Sequence, residues 1–164
     1  MLLNFKAFLK ATKDNFWKKV INSVMDAIDV VQSNWSSSTG LLPDFLEGEG
    51  SIETLKPARA NFLESEFDGA YYYNAGRDPW RIGVYALLDG DETARDYVLK
   101  MVNWLFDEVR GKPKNIHAGY YFDGEALPDS EYLSTFFVAP FGVAVMLDNE
   151  KQNFLNKMYK IDYK

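Results

Sequence analysis

Tyr71-Tyr72-Tyr73-Asn74-Ala75-Gly76-Arg77-Asp78-Pro79-Trp80-Arg81 is the stretch from which the rest of the chain is read. Asp78 followed by Pro79 signals a helix start: an N-cap acceptor, then a residue whose missing N–H costs nothing in the first turn. Arg77 and Arg81 then flank the opening of that helix, with guanidinium forks able to fix carboxylates bidentately. Rings beside oriented polar forks suit a ligand with both flat apolar faces and hydroxyls, such as a sugar. The same residues also suit an aromatic plug in which a buried Arg–carboxylate pair locks two helices together. The motif alone leaves both readings open.

Outward from it, the spacing predicts helices. Between Asp14 and Trp35 the apolar residues Trp17, Val20, Val24, Ile28 and Val31 recur on one face,. Residues 36 to 73 have little regular pattern beyond short helical possibilities near 52–55 or 58–63, and so long a loop in a small domain is usually functional. Pro79 to Leu88 reads as a helix closed by Gly90. Asp91 caps the next, which carries Ala94, Val98, Met101, Val102, Leu105 and Val109,. After a second loop, 111 to 128, Ser130 starts an apolar helix kinked at Pro140, and Asp148 opens a last one with Phe154, Leu155 and Met158,. No stretch reads as an alternating strand, so the expectation is an all-α chain forming a single domain over residues 1–164. The loops holding Tyr71 to Tyr73 and Tyr120-Tyr121 each lie between helices, and connectivity of helical hairpins would bring them to one shared mouth.

Composition limits the partners. The 164 residues carry a net charge of −6, which argues against nucleic acid. No segment reaches the roughly 18 consecutive apolar residues of a membrane span. The first residues, Met1-Leu2-Leu3-Asn4-Phe5-Lys6, lack the pattern of a signal peptide,. With no cysteine and the single His117, neither a zinc-thiolate site nor a two-imidazole metal site can form, and no metal or cofactor is expected,. Aromatic content is high at 16%, from 12 Phe, 10 Tyr and 4 Trp. The tyrosines sit in Gly/Asp-rich loops, where a hydroxyl finds water or ligand more readily than in a core.

Four segments, in order, resemble the C-terminal half of glycoside hydrolase family 8: Asn34-Trp35 leading into Gly40-Leu41-Leu42-Pro43-Asp44-Phe45; Tyr73-Asn74-Ala75-Gly76-Arg77-Asp78-Pro79-Trp80-Arg81; Ala118-Gly119-Tyr120-Tyr121-Phe122-Asp123-Gly124; and Phe136-Phe137-Val138-Ala139-Pro140-Phe141-Gly142-Val143-Ala144. The second is close to that family's Tyr-Asp-Ala-x-Arg-x-Pro-Trp-Arg. The resemblance implies half of an (α/α)6 barrel and inverting hydrolysis of a polysaccharide or oligosaccharide, with a general acid on a missing N-terminal half. Asn74 stands where many such enzymes have the general base, and an amide cannot accept that proton. The resemblance then places the base among the acids of the 36–73 loop, and of these Asp68 and Glu66 come first because they directly precede the tyrosine run and lie nearest the Arg77 helix mouth, with Glu64 third. Tyr71, Tyr72, Tyr73, Asn74, Arg77, Trp80, Tyr120 and Tyr121 would bind the sugar. A half barrel would also leave apolar surface for the missing half or for self-association, and the chain alone would be inactive. Two further readings are a non-catalytic sugar-binding remnant and an unrelated all-α interaction module.

Overall fold

The apolar stripe of residues 14 to 35 forms its helix as the spacing predicts. The computed structural model describes residues 1 to 161. Helix α2 (Phe16–Asn34) buries Ile21, Ile28 and Val31. Ahead of it lies α1 (Leu2–Thr12), closed by Lys13 in the left-handed conformation, a helix that the sequence pattern did not predict. Its own periodicity is weak, and it is held by rings: Phe5 stacks on Trp17 of α2 at 5.9 Å and Phe8 meets the same indole at 4.9 Å.

Helix α3 (Asp78–Asp89) ends at Gly90, whose φ of 70° lets its N–H turn back to the Ala86 carbonyl,. Helix α4 (Glu92–Glu108) starts as expected, with Asp91 accepting from the Ala94 N–H at 2.8 Å. Helix α5 (Thr135–Val145) begins later than expected. Ser130 is buried and donates to the Leu127 carbonyl at 2.6 Å, closing the preceding loop instead of opening the helix. Helix α6 (Gln152–Tyr159) completes the set. Helix α3 packs on α4 and α5, α1 lies against α2 and α3, and α6 lies against α5. One continuous core runs from Leu2 to Ile161, with Tyr71, Val98, Met101, Leu105, Phe137 and Phe141 among its most enclosed side chains. Among the described residues no helix is long and apolar enough to cross a membrane.

The all-α expectation is corrected. Residues 36 to 73 form a short antiparallel pair, β1 (Leu46–Glu47) with β2 (Lys56–Pro57), in register Leu46 to Pro57 and Glu47 to Lys56. Two further bridges join Tyr71 to Tyr120 and Tyr120 to Ala126. The reason is backbone satisfaction: a segment that crosses a protein without helical turns must pair its N–H and C=O groups with another segment. Gly69 lies within this packing, where any Cβ would overlap the Ala58 carbonyl.

The start of α3 also differs from its sequence reading. A 3₁₀ turn at Ala75–Arg77 runs straight into the helix, so Asp78 is already its first residue and caps nothing. Its half-buried carboxyl is pushed up to about 7 by desolvation, which outweighs the opposing pull of the Met1 ammonium, Arg81 and Arg77. An acid whose folded pKa is raised stabilises the fold fully only below its unfolded value of about 4, and that contribution disappears as pH rises through 7. The Asp78→Asn variant should therefore gain on the wild type in Tm as pH rises from 4 to 8. Paired thermal melts across that range check it, and a difference independent of pH would refute it.

Candidate functional site

The site is built on Asp44. Its Oδ1 accepts from the backbone N–H groups of Tyr72 at 3.0 Å and Ala75 at 2.8 Å, which are otherwise free donors of the turn leading into α3,. Its Oδ2 lies 3.4 Å from Nδ2 of Asn74. Burial raises the Asp44 pKa, and these donors offset part of that rise,. Sequence reasoning did not single out Asp44, because the acid and the turn it caps are 28 to 31 positions apart.

Asn74 is the junction. Arg77 donates to its side-chain oxygen and, through Nε at 3.1 Å, to its backbone carbonyl. With the oxygen turned toward Arg77, Nδ2 faces Asp44 and also donates to Oε2 of Glu64 at 2.8 Å. Glu64 is exposed, and among the described residues this is the one hydrogen bond its carboxylate accepts. It is thus an oriented carboxylate with an oxygen free for solvent.

The other two loop acids sit differently. Asp68 is 1% exposed, and its carboxylate accepts from the N–H groups of Leu63 (2.6 Å), Glu64 (3.0 Å) and Ser65 (2.8 Å). Burial alone would raise its pKa, but these three donors hold it below the ordinary value,. It shapes the turn that carries Glu64, and its oxygens are occupied. Glu66 is exposed, and among the described residues its side chain makes no hydrogen bond.

The aromatic residues divide in two. Tyr71 and Tyr120 exchange backbone hydrogen bonds at 3.0 Å each way, so the two tyrosine loops are joined edge to edge. Their side chains are 0% and 1% exposed, leaving no ring face for a ligand. Tyr120 packs edge-on against Trp104 at 5.0 Å, and its hydroxyl accepts from the His117 N–H at 2.7 Å. Tyr72 is half-buried between Phe67 and Tyr73, at ring separations of 5.4 and 4.8 Å. Tyr73 is open to solvent, packs on Phe136 and Phe137, and shares a 2.9 Å hydroxyl contact with Tyr132. That contact, with burial, pushes the Tyr73 hydroxyl up to about 12, so Tyr73 stays neutral at ordinary pH. Phe136 can approach only because residue 76 is glycine; a Cβ there would run into its ring. Tyr132, 45% exposed, went unnoticed in the sequence because it lies 59 positions from Tyr73 and outside any motif. Trp80 and Tyr121 are also exposed, Trp80 with the Arg81 guanidinium 5.8 Å from its ring centre.

No protein-family model matches the chain. It is similar to a β-glucanase of Niallia circulans, 43% identical over 159 residues, which span 97% of this chain and 38% of that protein. It is also similar to an endoglucanase of Bacillus sp. (strain KSM-330), 30% identical over 157 residues, 95% of this chain and 33% of that protein. A solved apo structure of a β-1,3-1,4-glucanase from Paenibacillus sp. X4 superposes with a TM-score of 0.92 at 39% identity, covering 99% of this chain and 43% of the other. The chain therefore spans less than half the length of the relatives it matches. These findings correct the resemblance drawn from the motifs. The similarity is to proteins named β-glucanase and endoglucanase, and the reading as the C-terminal half of a family 8 enzyme is replaced by it. The expected half of an (α/α)6 barrel gives way likewise to the fold of the β-1,3-1,4-glucanase, matched over nearly the whole chain. Neither a missing N-terminal half nor an inverting course finds support in these comparisons.

Proposed function

We propose that the chain forms part of the site of a β-glucan hydrolase, with Glu64 as the general base. The observation that carries this reading is the Asn74 side chain, fixed by Arg77 at one end and bonded at the other to an exposed, otherwise unengaged carboxylate. A base needs an acceptor oxygen open to water and a second oxygen held in place. Glu64 has both. Asp68 has its oxygens taken by backbone N–H groups, and Glu66 has nothing to orient it. Glu64 supplies one of the two carboxyls that glycoside hydrolysis uses, and a water it activates for direct attack opposite the leaving group inverts the product anomer.

The sugar-binding surface is Tyr72, Tyr73 and Tyr132, braced from behind by Phe136 and Phe137. Sugar rings stack by their C–H faces on such rings, and the paired hydroxyls offer donors and acceptors to sugar hydroxyls. Trp80 and Tyr121 add exposed aromatic area to the same role. The names of the relatives make a β-1,3-1,4-linked glucan the first substrate to test.

Glu64→Gln should lower release of reducing ends from mixed-linkage β-glucan by about a hundredfold or more, since loss of a general base costs on that order. Glu66→Gln should leave turnover near the wild-type rate, and Asp68→Asn should act mainly by lowering Tm. Proton NMR of the first products should show the inverted anomer. Equal turnover in wild type and Glu64→Gln would remove Glu64 from the role. In calorimetric titration with gluco-oligosaccharides, Tyr73→Ala and Tyr132→Ala should each weaken binding by about fivefold or more, the equivalent of roughly 1 kcal/mol for a lost aromatic contact. Unchanged affinity in both would place the binding surface elsewhere.

A further inference from the structure

We infer that Asp44 is a positioning residue that aims Glu64 through the side-chain amide of Asn74. The inference rests on Glu64 being the base. Asn74 has one NH2 group and two carboxylates to serve, Glu64 Oε2 at 2.8 Å and Asp44 Oδ2 at 3.4 Å. An amide with two donors and two carboxyl acceptors has a single orientation that satisfies both, and Arg77 on the amide oxygen selects the same one,. If Asp44 Oδ2 ceases to accept, Arg77 alone is left to set the last side-chain torsion of Asn74, and the one hydrogen bond that the Glu64 carboxylate accepts among the described residues is aimed less tightly. Asp44 is itself immobile: two backbone N–H groups hold its other oxygen, and its own N–H donates to the Ala70 carbonyl at 2.8 Å. The fixed end of the relay is therefore Asp44 and the working end is Glu64.

The substitution Asp44→Asn separates this role from simple support of the turn. An asparagine there keeps an oxygen for the Tyr72 and Ala75 N–H groups, but places its own NH2 against that of Asn74, donor against donor. Turnover of mixed-linkage β-glucan should fall on the order of tenfold to a hundredfold, the loss expected when a catalytic group is misplaced by about 1 Å. KM and Tm should change little. In an Asn74→Ala background the same substitution should add nothing, because the element that transmits its effect is gone. A loss of equal size in both backgrounds, or wild-type turnover in Asp44→Asn, would overturn the inference. A readout independent of folding in the variant is the Asn74 side-chain NH2 signal of the wild-type chain in nitrogen-edited NMR. Both NH2 protons are expected to be displaced from the two shifts of a free asparagine side chain and protected from solvent exchange, and the free-asparagine shifts with rapid exchange would equally overturn the relay. If wild type turns over no glucan, the hydrolase reading fails while the amide signal still decides whether Asp44 holds Asn74.

Discussion

One carboxylate ties the irregular half of this protein to its helical half. The 72–75 turn presents backbone N–H groups at the mouth of α3, and unpaired buried donors cost about 1–3 kcal/mol each. Asp44 satisfies two of them. Because Asp44 belongs to the 36–73 segment, the bond also fixes where that segment crosses the helices. The neighbouring backbone follows in order: Asp44 N–H to Ala70 O, Phe45 N–H to Asp68 O, and Ala58 N–H to Phe45 O. Asp68 then gathers the N–H groups of residues 63 to 65. Glu64 stands at the end of this sequence of constraints, its backbone N–H held by Asp68 and its carboxylate by Asn74, which Asp44 also meets.

The tyrosines show a similar division between support and surface. Tyr71 and Tyr120 join two loops through their backbones, and their rings fill core space beside Phe137, Phe141 and Trp104. That anchorage fixes Tyr72 and Tyr73, the next residues along the chain, over Phe136 and Phe137. Rings backed by other rings lose little freedom on contact with a ligand, which favours affinity. Tyr132 reaches this surface from the other side of the 111–134 loop, which the Tyr71–Tyr120 and Tyr120–Ala126 bridges fold back on itself.

What the sequence revealed followed from the range of the forces involved. Helices α2, α3 and α4 were legible because burial of one face repeats every three to four residues, as in the run Val98, Met101, Val102 and Leu105,. Helix α1 was not, since Trp17 of the next helix holds it through Phe5 and Phe8. The region of the site was legible through its clustered aromatics, Asn74 and Arg77. The directions in which its acids point were not. Asp68 precedes the tyrosine run directly and so looked nearest to Arg77, yet adjacency in the chain says nothing of direction. Its carboxylate turns back to cap its own loop, while Glu64, ten positions from Asn74, reaches it. The two-residue strands carried no alternation long enough to detect.

The geometry also explains why an amide suits position 74. Its side chain lies among Asp44, Glu64 and Arg77, with one oxygen and one NH2 group to satisfy all three. A carboxylate at the same place would face two others with a single guanidinium to offset them. At an effective dielectric of 20, two unit charges 4 Å apart repel by about 4 kcal/mol, and the cheapest relief would be to protonate one of the acids or swing Glu64 away. Either would remove the oriented carboxylate the site presents. Asparagine turns that repulsion into two hydrogen bonds, one to the more exposed loop acid Glu64 and one to the more buried Asp44.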